Sequence, residues 1–361
     1  MSGLDSHRFY GTPLNAFERD PMPVRGRPGR YLYAAGDFDR SAGGVICRKI
    51  ARFSGSSWGY VGQSEALSGM IFPSTASFVA MAPSRNGVLL AGDYNAMNVG
   101  GTICRYLALW NGEEWSDGYV DSLGLPPVPY LSLTSSGSTL IYAGTNRVMT
   151  TADDGLTFTE ATSADLLASQ ITQIIKGPGD LIYVRAGFVP GASIYYWSGY
   201  SWVLLPSPFP VTSSNLVYWN GSLWYGTSEG QLITWNGVTW ASKINAVNGI
   251  IYALAVVRNN LYFGGAFTSQ LSASIGNVCQ YVPGSFNVIG VGSLQGGVAG
   301  IMCMIDYDGA LVVGGDFETI WPGIPSGGLA RWSGFSWDNM AGGMDNSVPL
   351  SIPRVELLAV A

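Results

Sequence analysis

The chain has 361 residues, 18 Lys+Arg against 24 Asp+Glu for a net charge of −6, one His, 49 Gly and only 12 % charged residues. An acidic balance without clustered Lys and Arg argues against a nucleic-acid partner, and a single His, His7, excludes a folded Ser/His/Asp triad and His-rich metal sites. No apolar run reaches the ~18 to 20 residues of a membrane-spanning helix, and the N-terminus lacks the apolar core of a signal peptide, so no membrane span and no general secretion are expected.

Residues 1–29 carry Pro13, Pro21, Pro23 and Pro28 without sustained periodicity. They read as an extended arm, and the basic stretch Arg25–Arg30 within it as solvated or partner-bound rather than as a nucleic-acid contact. Residues 30–361 read as one domain. It opens with an expected strand, Tyr31–Phe38, whose counterparts are Val88–Tyr94, Leu140–Gly144, Leu181–Phe188, Leu223–Gly226, Leu261–Phe267 and Leu311–Phe317. From the second copy onward a shorter apolar strand precedes each: Phe78–Ala82, Tyr130–Leu133, Ile171–Ile175, Leu216–Trp219, Ile250–Ala255 and Ile301–Ile305.

Each copy ends in a hairpin first met as Ile50–Gly62. Its closing aromatic recurs as Trp58, Trp115, Phe158, Trp202, Trp240, Phe286 and Trp337. A Gly stands three residues earlier in six copies, from Gly55 to Gly334, and slips by one to Gly284 in the sixth. Five residues before the anchor stand Phe53, Trp110, Trp197, Trp235, Tyr281 and Trp332, with Asp153 breaking the series. This pattern predicts two strands joined by a turn that needs φ > 0 and bracketed by aromatics.

The first copy lacks the leading short strand, and Val355–Ala361 matches that strand in pattern. The expectation is an all-β, seven-bladed β-propeller of four-stranded antiparallel blades, closed by the C-terminal strand completing the first blade. Anchor spacings of 38 to 57 residues bracket the ~40 to 50 residues of such a blade.

The pattern Leu-Tyr-x-x-Gly-[Asp/Ala]-Phe, a Gly-rich loop and Ile-Ala-Arg-Trp-x-Gly-x-x-Trp resembles the kelch-related propeller repeats of fungal cell-surface markers and of bacterial and phage proteins. It is fullest at Leu311–Trp337, Leu32–Trp58 and Leu261–Phe286. In the third copy Thr151, Asp153, Gly155, Thr157 and Phe158 are similar to the Asp-box of sialidases, a turn staple that such families keep away from the active site. The resemblance implies a fold and leaves function open.

Chemistry-bearing residues are sparse. Asp37, Asp93 and Asp316 share one repeat position, and on the expected ring they fall on neighbouring blades and one face. They are either a cation or sugar site, with glycoside cleavage in view, or three local loop caps. Four Cys lie in apolar strand patterns and read as buried free thiols, and neither a metal nor a cofactor is expected. Long loops at Asp39–Val45, Asn95–Thr102, Thr268–Gly276 and Glu318–Gly328 build up half of one face, with Met97, Ile320, Trp321, Pro322 and Ile324 as exposed apolar contact candidates.

The favoured reading is a non-enzymatic structural or adhesion module, with protein partners reached in part through residues 1–29. Its context would be a phage virion, as head decoration or tail-associated protein, and otherwise the cytoplasm. The alternatives are a propeller that binds or cleaves a surface glycan and an intracellular partner-binding scaffold.

Overall fold

The computed structural model describes residues 31–64, 70–71, 78–83, 87–92, 97–99, 102–104, 107–117, 130–136, 139–144, 147–151, 159–160, 171–179, 181–187, 192–209, 211, 214–296, 300–320, 323–346 and 353–361. The arm 1–29 lies outside the described residues, as do Asp93, Trp321, Pro322 and the Asp-box positions Asp153, Gly155, Thr157 and Phe158. Among the described residues every regular element is a strand.

The fifth repeat shows the unit plainly. Val217–Trp219, Ser222–Gly226, Leu232–Trp235 and Trp240–Ser242 pair antiparallel in chain order. The second, third, fourth and sixth repeats form four-stranded antiparallel sheets of the same kind, beginning with Phe78–Pro83, Tyr130–Ser136, Ile171–Lys176 and Ile250–Val257. The first and seventh repeats lie in one eight-stranded sheet. Its two halves meet at a single pair of partners, Asp316 opposite Arg354.

Within that sheet the last strand, Arg354–Val360, runs antiparallel to the first, Leu32–Asp37, from Leu32 opposite Val360 to Asp37 opposite Arg354. Tyr31 N donates to Ala361 O at 2.8 Å and Ala361 N to Tyr31 O at 3.0 Å, extending the ladder to the last residue. The leading strands stand side by side: Arg354–Val360 beside Phe78–Pro83, that strand beside Tyr130–Ser136, and so on to Gly300–Tyr307, which borders Arg354–Val360 again.

These strands are apolar on both faces because each is covered by sheet neighbours on either side. Leu32, Ala34 and Ala35 are all buried, as are Leu357, Leu358 and Ala359 opposite them. Side chains from adjacent repeats fill one layer: Met81, Leu90 and Trp110 pack in a cluster with Leu357, while Leu32, Phe53 and Trp58 pack in another with Cys303, Tyr307 and Met340. A register shift recurs in the leading strand pair, at Phe78/Ala80, Tyr130/Ser132, Ile171/Gln173, Ile251/Ala253, Ile301/Cys303 and Ala35/Gly36. Such bulges increase local twist, as tilted, radially packed sheets require.

Candidate interaction surface

In five of the repeats the outer hairpin is fixed for reasons legible in its residues. Phe53 and Trp58, Trp110 and Trp115, Trp197 and Trp202, Trp235 and Trp240, and Trp332 and Trp337 form tilted ring pairs with centroids 5.0 to 5.4 Å apart. The turn Gly adopts the expected positive φ, 100° at Gly55 and 104° at Gly334, a conformation that costs a residue with a Cβ about 1–2 kcal/mol. The residue before it staples the turn: Asn236 Oδ1 accepts from Val238 N and Thr239 N at 2.9 and 2.8 Å, and Ser333 Oγ accepts from Phe335 N and Ser336 N at 3.3 and 3.1 Å.

A turn so fixed presents its next residue to solvent. Tyr200, Val238 and Phe335 occupy that tip position and are 88 %, 78 % and 93 % exposed. The repeat pattern alone does not single these residues out, although the signal is simple: the residue after the turn Gly is apolar in the fourth, fifth and seventh copies and polar, Ser56 and Glu113, in the first two.

The long loops differ from expectation. Each is a short ribbon that holds the segment arriving from the preceding repeat. Arg40–Ser41 pairs with Met344–Asp345, Thr319–Ile320 with Leu294–Gln295, and Met97–Val99 with Met70–Ile71, while Gln270 bridges to Val247. Asn248 reinforces the sixth-repeat ribbon by accepting from Thr268 N and Ser269 N at 2.7 and 2.9 Å. Ile320, expected as an exposed contact, is therefore fully buried, in one cluster with Val313 and Phe317 against Leu294. Ile324 is half-buried, and Met97 lies in its ribbon strand.

Of the carboxylates, Asp37 and Asp316 are both backbone partners of Arg354, one on each side of the last strand. Asp37 is mostly exposed and pairs with Lys49. Arg354 Nε lies 3.1 Å from Glu356 Oε1 and 3.2 Å from Met302 Sδ. Among the described residues no group of three His, Cys, Asp or Glu is arranged to hold a metal ion. Thr151 ends the strand Arg147–Thr151, and Thr150 pairs with Thr159 across residues 152–158.

The four cysteines are buried free thiols. Burial, helped by Asp117, pushes the Cys104 thiol up to about 12, and burial raises Cys279 and Cys303 as well. Arg185 is the inverse case: burial lowers it to about 10. Its guanidinium donates to Ser214 O at 2.6 Å and to Thr172 Oγ1 at 3.0 Å.

No protein-family model matches the chain, and no curated protein sequence does. Among solved structures it is similar to a chain of the mitotic checkpoint complex, at 14 % identity over 80 % of this chain and 85 % of that one, with a TM-score of 0.50. It is also similar to YCF48 bound to D1 peptide, at 15 % identity over 76 % and 83 % with a TM-score of 0.49, and to a chain of the nidogen/laminin complex, at 10 % identity over 92 % and 98 % with a TM-score of 0.45. The structural neighbours are β-propellers. The chain has the β-propeller fold. The four-stranded sheets are thus its blades, the side-by-side leading strands line its axis, and Tyr200, Val238 and Phe335 stand at the outer edge of their blades.

Proposed function

We propose that this propeller has seven blades of kelch-related sequence, closed by Arg354–Val360 completing the first, and that it serves as a non-enzymatic contact module in a larger protein assembly. Seven copies of the hairpin, and the division of the eight-stranded sheet at the lone Asp316–Arg354 pairing, support the blade count. The third blade carries the Asp-box as a turn staple. A phage particle is the context that the repeat resemblance favours, with residues 1–29 as an arm reaching a partner.

One observation carries the contact role. Tyr200, Val238 and Phe335 are large apolar side chains, 88 %, 78 % and 93 % exposed, held out on stapled turns. Rigid exposed apolar and aromatic residues lose little conformational entropy when covered and are the type that forms binding hot spots. Their surroundings oppose association weakly, since charged residues make up 12 % of the chain.

Mass spectrometry and immunogold labelling of phage particles from the producing host test the assignment. The expected result is this chain at a fixed copy number, reduced or lost in a Tyr200→Ser/Val238→Ser/Phe335→Ser variant that melts at the wild-type temperature. Absence from particles would overturn the virion role. Unchanged incorporation of the triple variant would overturn the role of the tips.

A further inference from the structure

The sixth copy of the hairpin is irregular, and the irregularity has a spatial counterpart on the fifth blade. In the first, second and seventh copies the anchor indole reaches back to the preceding blade: Trp58 Nε1 donates to Met340 O at 2.7 Å, Trp115 Nε1 to Val61 O at 3.1 Å and Trp337 Nε1 to Val291 O at 2.6 Å. The sixth anchor is Phe286, after a displaced Gly284, and it is 62 % exposed. Tyr281, which in other copies would pair with the anchor, instead packs 5.1 Å from Trp224 of the fifth blade.

A pocket of about 230 Å³ lies on the fifth blade's face at this junction, with Tyr281 and Pro283 of the sixth blade as its far wall. Trp224, Thr234 and Ala241 stand directly opposite one another on three adjacent strands and so share that face. Thr234 contributes to the opening. The corresponding residue, just before the first hairpin aromatic, is Arg52, Leu109, Tyr196, Gln280 or Arg331 in the first, second, fourth, sixth and seventh copies, all longer, and Ala152 in the third, where Asp153 replaces the aromatic.

The lining pairs apolar walls with hydrogen-bonding groups. Trp219, Trp224 and Tyr281 form a three-ring cluster, with Trp219 edge-on to Tyr281 at 6.0 Å. Thr234 is 3 % exposed, and its Oγ1 is buried with no hydrogen-bond partner. Leaving such a group unsatisfied costs about 1–3 kcal/mol. Polar groups of Asn236, Thr239 and Lys243 also line it, and Lys243 enters no ion pair among the described residues.

We infer that this pocket binds a single sugar residue of a glycan, through the unsatisfied Thr234 hydroxyl and the aromatic walls, with Lys243 selecting a ring that bears a carboxylate. A pyranose has the matching chemistry: apolar C–H faces for the rings and hydroxyls that both donate and accept. The volume lies below the ~300 Å³ at which drug-sized pockets begin, as suits one ring. The site is remote in sequence from Asp37, Asp93 and Asp316, and the inference does not depend on the assembly role.

The test is saturation-transfer NMR and calorimetry on the full chain with methyl glucoside, methyl galactoside, N-acetylglucosamine and glucuronate. At least one is expected to bind, glucuronate best. Thr234→Val keeps the shape and removes the hydroxyl; it should weaken binding about tenfold, the effect of one lost hydrogen bond of ~1.4 kcal/mol, without lowering the melting temperature. Lys243→Gln should weaken glucuronate alone, and Ala241→Phe should fill the pocket and abolish binding. No binding of any of the four at tens of millimolar, meaning a pocket that holds water only, overturns the inference. So does binding indifferent to Thr234→Val. Should Ala241→Phe fail to fold, the exchange at Lys243 and the wild-type titrations still decide.

Discussion

Trp58 Nε1 donates to the carbonyl of Met340 at 2.7 Å across 282 residues of sequence. The same bond joins the second repeat to the first through Trp115 and Val61, and the seventh to the sixth through Trp337 and Val291. In these three repeats the anchor Trp is therefore a clamp to the preceding repeat as well as a packing element within its own, whereas Trp202 and Trp240 only pack, their Nε1 atoms buried without a partner. The clamp gives a donor to a backbone carbonyl in or just past an outer strand.

Trp58→Phe keeps a ring against Phe53 but removes the indole donor, leaving Met340 O only the longer bond from Gly343 N at 3.4 Å. Trp110→Phe is the matched comparison: Trp110 is also buried, and its Nε1 has no partner. Both exchanges lose similar volume, so the difference isolates the bond. In urea denaturation Trp58→Phe should cost about 1–3 kcal/mol more than Trp110→Phe. Equal losses would mean that the indole acts by packing alone.

Two glycines of the first blade should respond differently to alanine. At Gly55 a Cβ would meet nothing within 4 Å, and the obstacle is its φ of 100°; Gly55→Ala should cost about 1–2 kcal/mol. At Gly36 the Cβ would lie 2.2 Å from Arg354 O, inside the pairing of the first strand with the last. Neither backbone can retreat without breaking that ladder. Gly36→Ala should lower the thermal midpoint by more than Gly55→Ala, and the reverse order would show that the two strands are not tightly joined.

Much of the fold was legible because each element repeats its signal. The turn Gly, the bracketing aromatics and the alternating strands recur often enough for one copy to check another, and the match of Val355–Ala361 to a leading strand pointed to its pairing with Leu32–Asp37. The surface was harder to read. Ile320 looks exposed in a Gly- and Pro-rich loop, and its burial follows from pairing with Leu294, a partner in a different repeat that no local pattern reveals. The Thr234 pocket depends on two departures from the repeat, one in each of two copies, and only their meeting in space gives them meaning.

The thiols make pH an informative variable. Burial holds Cys104 and Tyr225 up at about 12, against unfolded values of about 8.5 and 10. The folded state thus keeps protons that the unfolded chain releases, so stability from these groups is intact below pH ~8.5 and falls as pH rises toward ~12. Thermal midpoints should be flat from these groups at neutral pH and decline through the alkaline range. At pH 8 a thiol reagent should modify none of the four cysteines until urea is added, because all four are buried. Rapid labelling of the native protein would contradict the packing around them.

Removal of Arg354–Val360 tests how the ends are joined. Val355, Leu357, Leu358 and Ala359 are buried between the first blade and its neighbours. Truncating one buried Leu costs about 2–5 kcal/mol, and a domain's whole stability is about 5–15 kcal/mol. Leu358→Ala should therefore be strongly destabilised yet foldable, whereas deletion of the strand should leave the Leu32–Asp37 edge open, and the chain should aggregate on a sizing column. A synthetic peptide spanning residues 354–361, added during refolding, should restore a monodisperse species by supplying the missing strand. A deleted chain that stays monomeric and melts cooperatively at the wild-type temperature would show that the fold does not need this strand to hold its first and last repeats together.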